Sequence, residues 1–353
     1  MSAGFRRTHS RRPLSIRAVT PLVALVALMS GCAGGSASTG APSTPSTNPG
    51  SPAVGATGSI TLYTSVTQAT VDAVTEGWKL ANPGVEVNVF RGPTAEVAAR
   101  IATDLQSGGL QADVLWLTDP LSMQGYADQS LLQQWTPPSA AAIDAAYRTP
   151  TYVGTRLLNM VMIRGTSVTP GPSDWSDLKS PDYKDAVAIP DPGFAGSALG
   201  ALGFFSQAAG YGTAFYQALK DNGATQVKTP DEVTTGVAEG RFKAGMTLDT
   251  SARTAIDKGS PISVVWPSSG AITIYSPIAA VATSDNQATA DSFMDFTLSP
   301  AGQALIAAVP PGWQPVVGPG GPEPGGAQVS PDWLTIHSRQ EELLAEYRAI
   351  FGG

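Results

Sequence analysis

The sequence predicts a two-lobed α/β protein. Three observations carry this: strand and helix signals alternate from Ser59 onward, the alternation resumes near Ala186, and two long apolar stretches lie between the blocks. Those stretches, Leu157 to Ile163 and Ile272 to Ala282, read as two crossings between lobes. The first lobe is therefore discontinuous, 59–157 with 273–353, and the second is 158–272. Two lobes joined by two crossings leave a cleft, where ligands prefer to sit.

Ile60 to Tyr63 reads as the first strand. A helix is expected from Ala69 to Leu80, with Val71, Val74 and Trp78 on one face, ending at Asn82-Pro83-Gly84. Val85 to Phe90 is the next strand. Thr94 is placed to cap a helix whose apolar stripe is Val97, Ile101 and Leu105, and Ser107-Gly108-Gly109 ends it. Ala112 to Leu117 is apolar enough to be a central strand. In the second lobe, strands are expected at Ala186 to Ile189 and Ala244 to Leu248, with helices at Ser197 to Ala209 and Thr213 to Leu219. Pro310 to Pro331 reads as an irregular Pro/Gly-rich connection, and Gln340 to Phe351 as an amphipathic helix packing through Leu343, Leu344, Tyr347 and Phe351.

The N-terminus has the layout of an export signal. Arg6, Arg7, Arg11, Arg12 and Arg17 precede a short apolar run, Leu22 to Met29, too short to span a bilayer. Met29-Ser30-Gly31-Cys32 resembles the bacterial lipobox, which implies removal of residues 1–31 and lipid on Cys32. The Arg11-Arg12 pair leaves Sec and twin-arginine export both open. Residues 33–58 are Ala, Gly, Ser, Thr and Pro with one Asn and one Val, and read with Cys32 as a flexible tether, 32–58. The expected location is the extracytoplasmic face of the cell membrane.

Composition excludes several functions. Cys32 is the only cysteine, so the body has no disulfide, CxxC motif or thiolate metal site. Without the five signal arginines, 16 basic side chains face 28 acidic ones, a net charge of −12. That argues against nucleic acid as a partner and leaves any anion to be held by local donors. His9 leaves with the signal, His337 alone remains, and neither a GxSxG elbow, a P-loop nor HExxH is present; no enzyme, cofactor or metal role is expected.

Small hydroxyls or glycines recur after strands and at helix mouths: Ser65 and Thr67, Gly92-Pro93-Thr94, and Gly193 to Ser197. Such positive helix ends bind phosphate, phosphonate or carboxylate.

The run from Ile60 to Ile101, then Ala112 to Asp119, then Ser276 to Ala279 and Phe293 to Gln303, resembles type 2 periplasmic solute-binding proteins of ABC importers. Within them the chain is similar to the ferric-iron and phosphonate-binding branch, and Ala186 to Pro192 fits it as well. The resemblance implies a periplasmic-binding-protein type 2 fold closing on a small solute and an ABC permease as partner; a monomer is expected. Iron members hold their ion with a tyrosine pair, a first-loop histidine and an acid. Here the first-loop position is near Gln68, the tyrosine position reads Thr247 to Ser251 without phenolates, and carboxylates such as Glu96 and Asp249 are what an iron ion would find. Phosphonate and organophosphate binders use the turn after Asp191-Pro192, kept here as Gly193 to Ser197.

The expected ligand set is Ser65, Thr67, Thr94, Thr118, Asp119, Gly196, Ser197, Asp249, Thr250 and Tyr275; Asp119 also reads as a cap of the next helix and Tyr275 as part of a hinge strand, and Asp249 reads as a helix cap or as the acceptor of a zwitterion's amino group. Tyr63 and Trp116 read as core. An anionic phosphonate or organophosphate is the expected solute and ferric iron the alternative. A scaffolding envelope lipoprotein is the reading from another class.

Overall fold

The computed structural model describes residues 56–352. The export signal, Cys32 and nearly all of the tether lie outside the described residues.

Strand β1 (Gly58–Thr64), helix α1 (Gln68–Ala81), strand β2 (Val85–Arg91), helix α2 (Thr94–Gln106) and strand β3 (Val114–Trp116) form consecutive βα units. β2 and β3 flank β1 in parallel register. The predicted face of α1 is the buried one: Val71, Val74 and Trp78 are closed from solvent, and Trp78 meets Phe293 edge-on at 5.2 Å. On α2, Val97 and Ile101 are buried as expected. Leu105, in the last turn of the helix, is 38% exposed.

Helix α3 (Pro120–Asp128) leads to β4 (Val153–Gly165), whose first eleven residues are all buried. The second block holds β5 (Val187–Pro190), α4 (Gly196–Gln207), α5 (Gly212–Asp221), β6 (Thr225–Val227), α6 (Pro230–Ala238), β7 (Ala244–Leu248), α7 (Asp249–Asp257) and β8 (Ile262–Val265). The chain returns through β9 (Ala271–Ala280) to α8 (Gln287–Leu298) and α9 (Pro300–Ala308). It finishes with β10 (Gln314–Pro315), β11 (Gln328–Val329), α10 (Trp333–His337) and α11 (Gln340–Phe351). The segment expected to be irregular, Pro310 to Pro331, thus supplies two short strands that pair with β4 and β9.

The sheet order is β2-β1-β3-β9-β4-β7-β5-β6. Parallel strands lie at both ends, and β9 and β4 cross the middle antiparallel to each other and to β3 and β7. β4 pairs with β9 through Val153 to Met160 and with β7 through Met160 to Arg164. The two apolar stretches are therefore the two connections between halves. Buried on both faces, they have the near-continuous apolar sequence that such strands need.

The second half is packed by aromatics: Phe205 contacts Trp175, Phe215 and Tyr216, and Tyr216 meets Tyr347 of α11 at 5.2 Å. Burial of each large side chain contributes about 1.5–3 kcal/mol. The last helix, grouped by sequence with 273–353, thus packs on α4 and α5 of the second block. Among the described residues no helix is long and apolar enough to cross a membrane.

Candidate functional site

A cavity of about 750 Å³ lies between the two halves. From the first half it is lined by Ser65, Thr67, Ala69, Arg91, Pro93, Thr94 and Thr118, and from the crossing strand by Arg156 and Leu158. The second half adds Ala195 to Ser197, residues of α6 and α7 that include Asp231, and Glu239 and Lys258. Pro310, Pro311 and Trp313 close one side.

The parallel βα arrangement places the N-termini of α1 and α2 at this cavity, and α4 meets them from the other half. None of the three has a side-chain cap: the N-caps are Thr67, Pro93 and Ala195, with no side chain accepting from the first turn. Their first-turn N–H groups and positive helix ends therefore face the cavity. Thr94 does not cap α2, as Pro93 takes that position and fixes the entry of the chain. The Thr94 hydroxyl instead meets that of Thr118 at 3.1 Å. Thr118 continues to Ser65, whose Oγ accepts its backbone N–H at 3.0 Å. The Thr67 hydroxyl pairs with Thr70 at 2.9 Å. The halves touch where Ala95 N donates to Phe194 O at 3.4 Å.

Seven of the ten expected ligand residues are brought together here: Ser65, Thr67, Thr94, Thr118, Gly196, Ser197 and Thr250. The other three are not part of the lining. Asp119 is fully buried, caps α3 by accepting from Ser122 N at 2.8 Å, and lies under Gly196, where a Cβ would collide with its carboxylate. Burial pushes its carboxyl above the usual range, and the Ser122 hydrogen bonds oppose that shift. Asp249 is in the first turn of α7, paired with Arg253 at 3.2 Å. Burial raises its pKa and Arg253 opposes the rise, so the carboxylate has an internal partner in place of a ligand's amino group. Tyr275 is buried against Tyr147 and Trp333 in the crossing strand. Tyr63 and Trp116 are core, as expected.

The sequence reading missed the cationic side of the site. Arg156 has no exposed surface, yet it lines the cavity. Its Nη1 donates to Thr70 Oγ1 at 3.3 Å, and its guanidinium carbon lies 3.6 Å from the Trp313 ring centroid. Nε and Nη2 are buried without a protein partner. Burial pulls its pKa down to about 9, and the positive charge of Arg91 acts in the same direction. Arg91 donates through Nε to Val66 O at 3.1 Å. Among the described residues neither arginine pairs with a carboxylate.

The model of the family described as bacterial extracellular solute-binding protein matches residues 60–308, most of the chain and every strand from β1 to β9. The chain belongs to this family. As a bacterial extracellular solute-binding protein it is a substrate-binding component of ABC importers and works outside the cytoplasm. No curated protein matches it in sequence. Its fold is that of the two-lobed type 2 periplasmic binding proteins. AfuA from Actinobacillus pleuropneumoniae, solved with exogenous fructose-6-phosphate bound, superposes with a TM-score of 0.75 at 18% identity, covering 83% of this chain and 98% of that one. Iron-bound HitA from Pseudomonas aeruginosa gives 0.71 at 18% identity, covering 83% and 99%. At such identities the likeness establishes the fold alone.

Proposed function

We propose that this solute-binding protein captures a small anionic solute of the phosphonate or organophosphate type, closes on it by hinge motion, and delivers it to an ABC permease as a monomer. One observation carries the reading: in a chain of net negative charge, the cavity is lined by two arginines free of carboxylates and by three uncapped helix N-termini. A buried guanidinium without a counterion is costly unless an anion arrives. AfuA, with its bound sugar phosphate, is an example of this fold serving such a ligand. The lobes of the proposal are 59–157 with 273–353 and 158–272, with α10 and α11 reaching across to α4 and α5.

Ferric iron is the second reading, because the fold is shared with HitA. Hard Fe(III) needs several anionic oxygens. The cavity lining offers no tyrosine or histidine, its two carboxylates, Asp231 and Glu239, already accept from Ser251 and Arg241, and two guanidinium groups repel a trivalent cation. A scaffolding role would favour a large exposed apolar patch. The exposed large apolar residues, Leu80, Val89, Leu105, Ile256 and Leu334, are spread over five elements.

Lipid on Cys32 would hold the protein at the membrane. Metabolic labelling with a fatty-acid probe should mark the wild type, and Cys32→Ala should leave the membrane fraction or keep its signal uncut. An unlabelled wild type would remove the anchor from the proposal. For the solute, native mass spectrometry of protein purified from cells should show a co-purifying phosphorus-containing anion. An iron adduct there would favour the second reading.

A further inference from the structure

We propose that the Nε/Nη2 edge of Arg156 is the receptor for the solute's charged head, and that the head is a terminal phosphoryl or phosphonyl dianion held beside the α1 N-terminus. This rests on the anionic-solute reading and deepens it. It moves the head from the Gly193 to Ser197 turn, where sequence resemblance put it, to the opposite lobe.

A guanidinium can bind through its flat face or through its edges. In Arg156 one face is covered by Trp313, and Nη1 is engaged by Thr70 in the first turn of α1. What is left is the edge with Nε and Nη2, two parallel N–H donors with no protein acceptor. That edge matches two oxygens of a carboxylate or phosphoryl group in bidentate fashion. The direction is fixed from several sides: β4 holds the backbone, Thr70 the far nitrogen and the indole the plane.

The charge of the head follows from the surroundings. Arg91 lies close enough for its charge to act on Arg156, and the uncapped N-terminus of α1 adds a partial positive charge at Thr67 and Ala69. Two cations and a helix end favour a double negative charge over a single one. A phosphate monoester or phosphonate, with a second pKa near 6, is largely dianionic at neutral pH. A phosphodiester or carboxylate carries one charge. The cavity of about 750 Å³ far exceeds a phosphoryl group and falls in the range that encloses an organic ligand. The body of the solute then extends toward the second lobe.

The test uses small head-group probes on the full mature chain. In ¹⁵N-labelled protein, the Arg156 Nε–H signal is assigned by its loss in Arg156→Lys. Methyl phosphate and methylphosphonate are titrated at neutral pH, with dimethyl phosphate as the monoanionic control. Saturable downfield movement of that signal is expected with the two dianions, together with at least about tenfold weaker binding of dimethyl phosphate. Arg156→Lys keeps a charge but loses the fork, and should weaken methyl phosphate about 10- to 100-fold. If the dianions bind while Arg156 Nε–H stays still and Ser197→Ala alone weakens them, the head belongs to the second-lobe turn and this inference falls while the anionic reading stands. Equal binding of dimethyl phosphate would overturn the dianion assignment. No binding of any probe would bring down both. Arg156→Gln gives a second assignment of the signal, and the titration itself is read on the wild type, so one poorly folded variant does not decide the result.

Discussion

At the scale of single residues, the hydroxyls of the site were legible and its cations were not. Ser65, Thr67, Thr94 and Ser197 stand out because each follows a strand and opens a helix, a local pattern that sequence displays. Arg156 stands just before the apolar run Leu157 to Ile163, and nothing local marks it as a site residue. Its meaning depends on Thr70, 86 positions earlier, and Trp313, far later, which only the order of strands brings together. Asp119 gives a residue-scale prediction. Its carboxyl is harder to ionise in the folded protein than in the unfolded chain, so the native state holds that proton more tightly. Its contribution to stability is therefore greatest at pH below the usual 3.8 and declines as pH rises through the window above it. Asp119→Asn keeps a good N-cap and cannot ionise. The melting temperature of the variant relative to wild type should rise from acid to neutral pH; a difference that does not change with pH would contradict the buried-charge account. Ser197→Ala should cost about 10- to 150-fold in affinity for the anion if its hydroxyl touches the ligand, as one hydrogen bond to a charged group is worth about 1.5–3 kcal/mol. Calorimetry on the two proteins reads that difference, and an unchanged affinity would detach Ser197 from the solute.

At the scale of elements, periodicity identified α1, α2, α11 and the two crossing strands, because each presents one long apolar pattern to the core. It missed β6, α6 and α7. β6 has three residues, and α6 and α7 each have nine, too few turns for a pattern to repeat. Ser299 to Gln303 forms the boundary between α8 and α9. Ser299 caps α9, and Gly302 lies against the carbonyls of Phe296 and Thr297 at the end of α8. A Cβ at Gly302 would collide with that backbone, which cannot rotate away as a side chain could. Gly302→Ala should therefore destabilise the protein by about 1–3 kcal/mol, the range for overpacking. Urea unfolding measures it, and a neutral result would mean that α8 and α9 shift apart easily.

For the whole molecule, the two-lobed plan could be read because β4 and β9 are long, apolar and far apart in sequence, while the blocks between them are locally βα in pattern. The C-terminal course could not be read this way. α11 carries an apolar face that fits either lobe, and only its contacts with α4 and α5 show which one it covers. A protein built this way should shrink when it binds its solute. Small-angle scattering should show a smaller radius of gyration with saturating ligand. Whether the cleft takes a phosphoryl or phosphonyl anion is read by calorimetric titration of the purified protein. Titrated in parallel with fructose 6-phosphate, 2-aminoethylphosphonate and ferric citrate, the protein should give saturable binding to a phosphorus compound and none to iron. Tight ferric binding with no phosphoryl or phosphonyl compound bound would contradict the anionic reading.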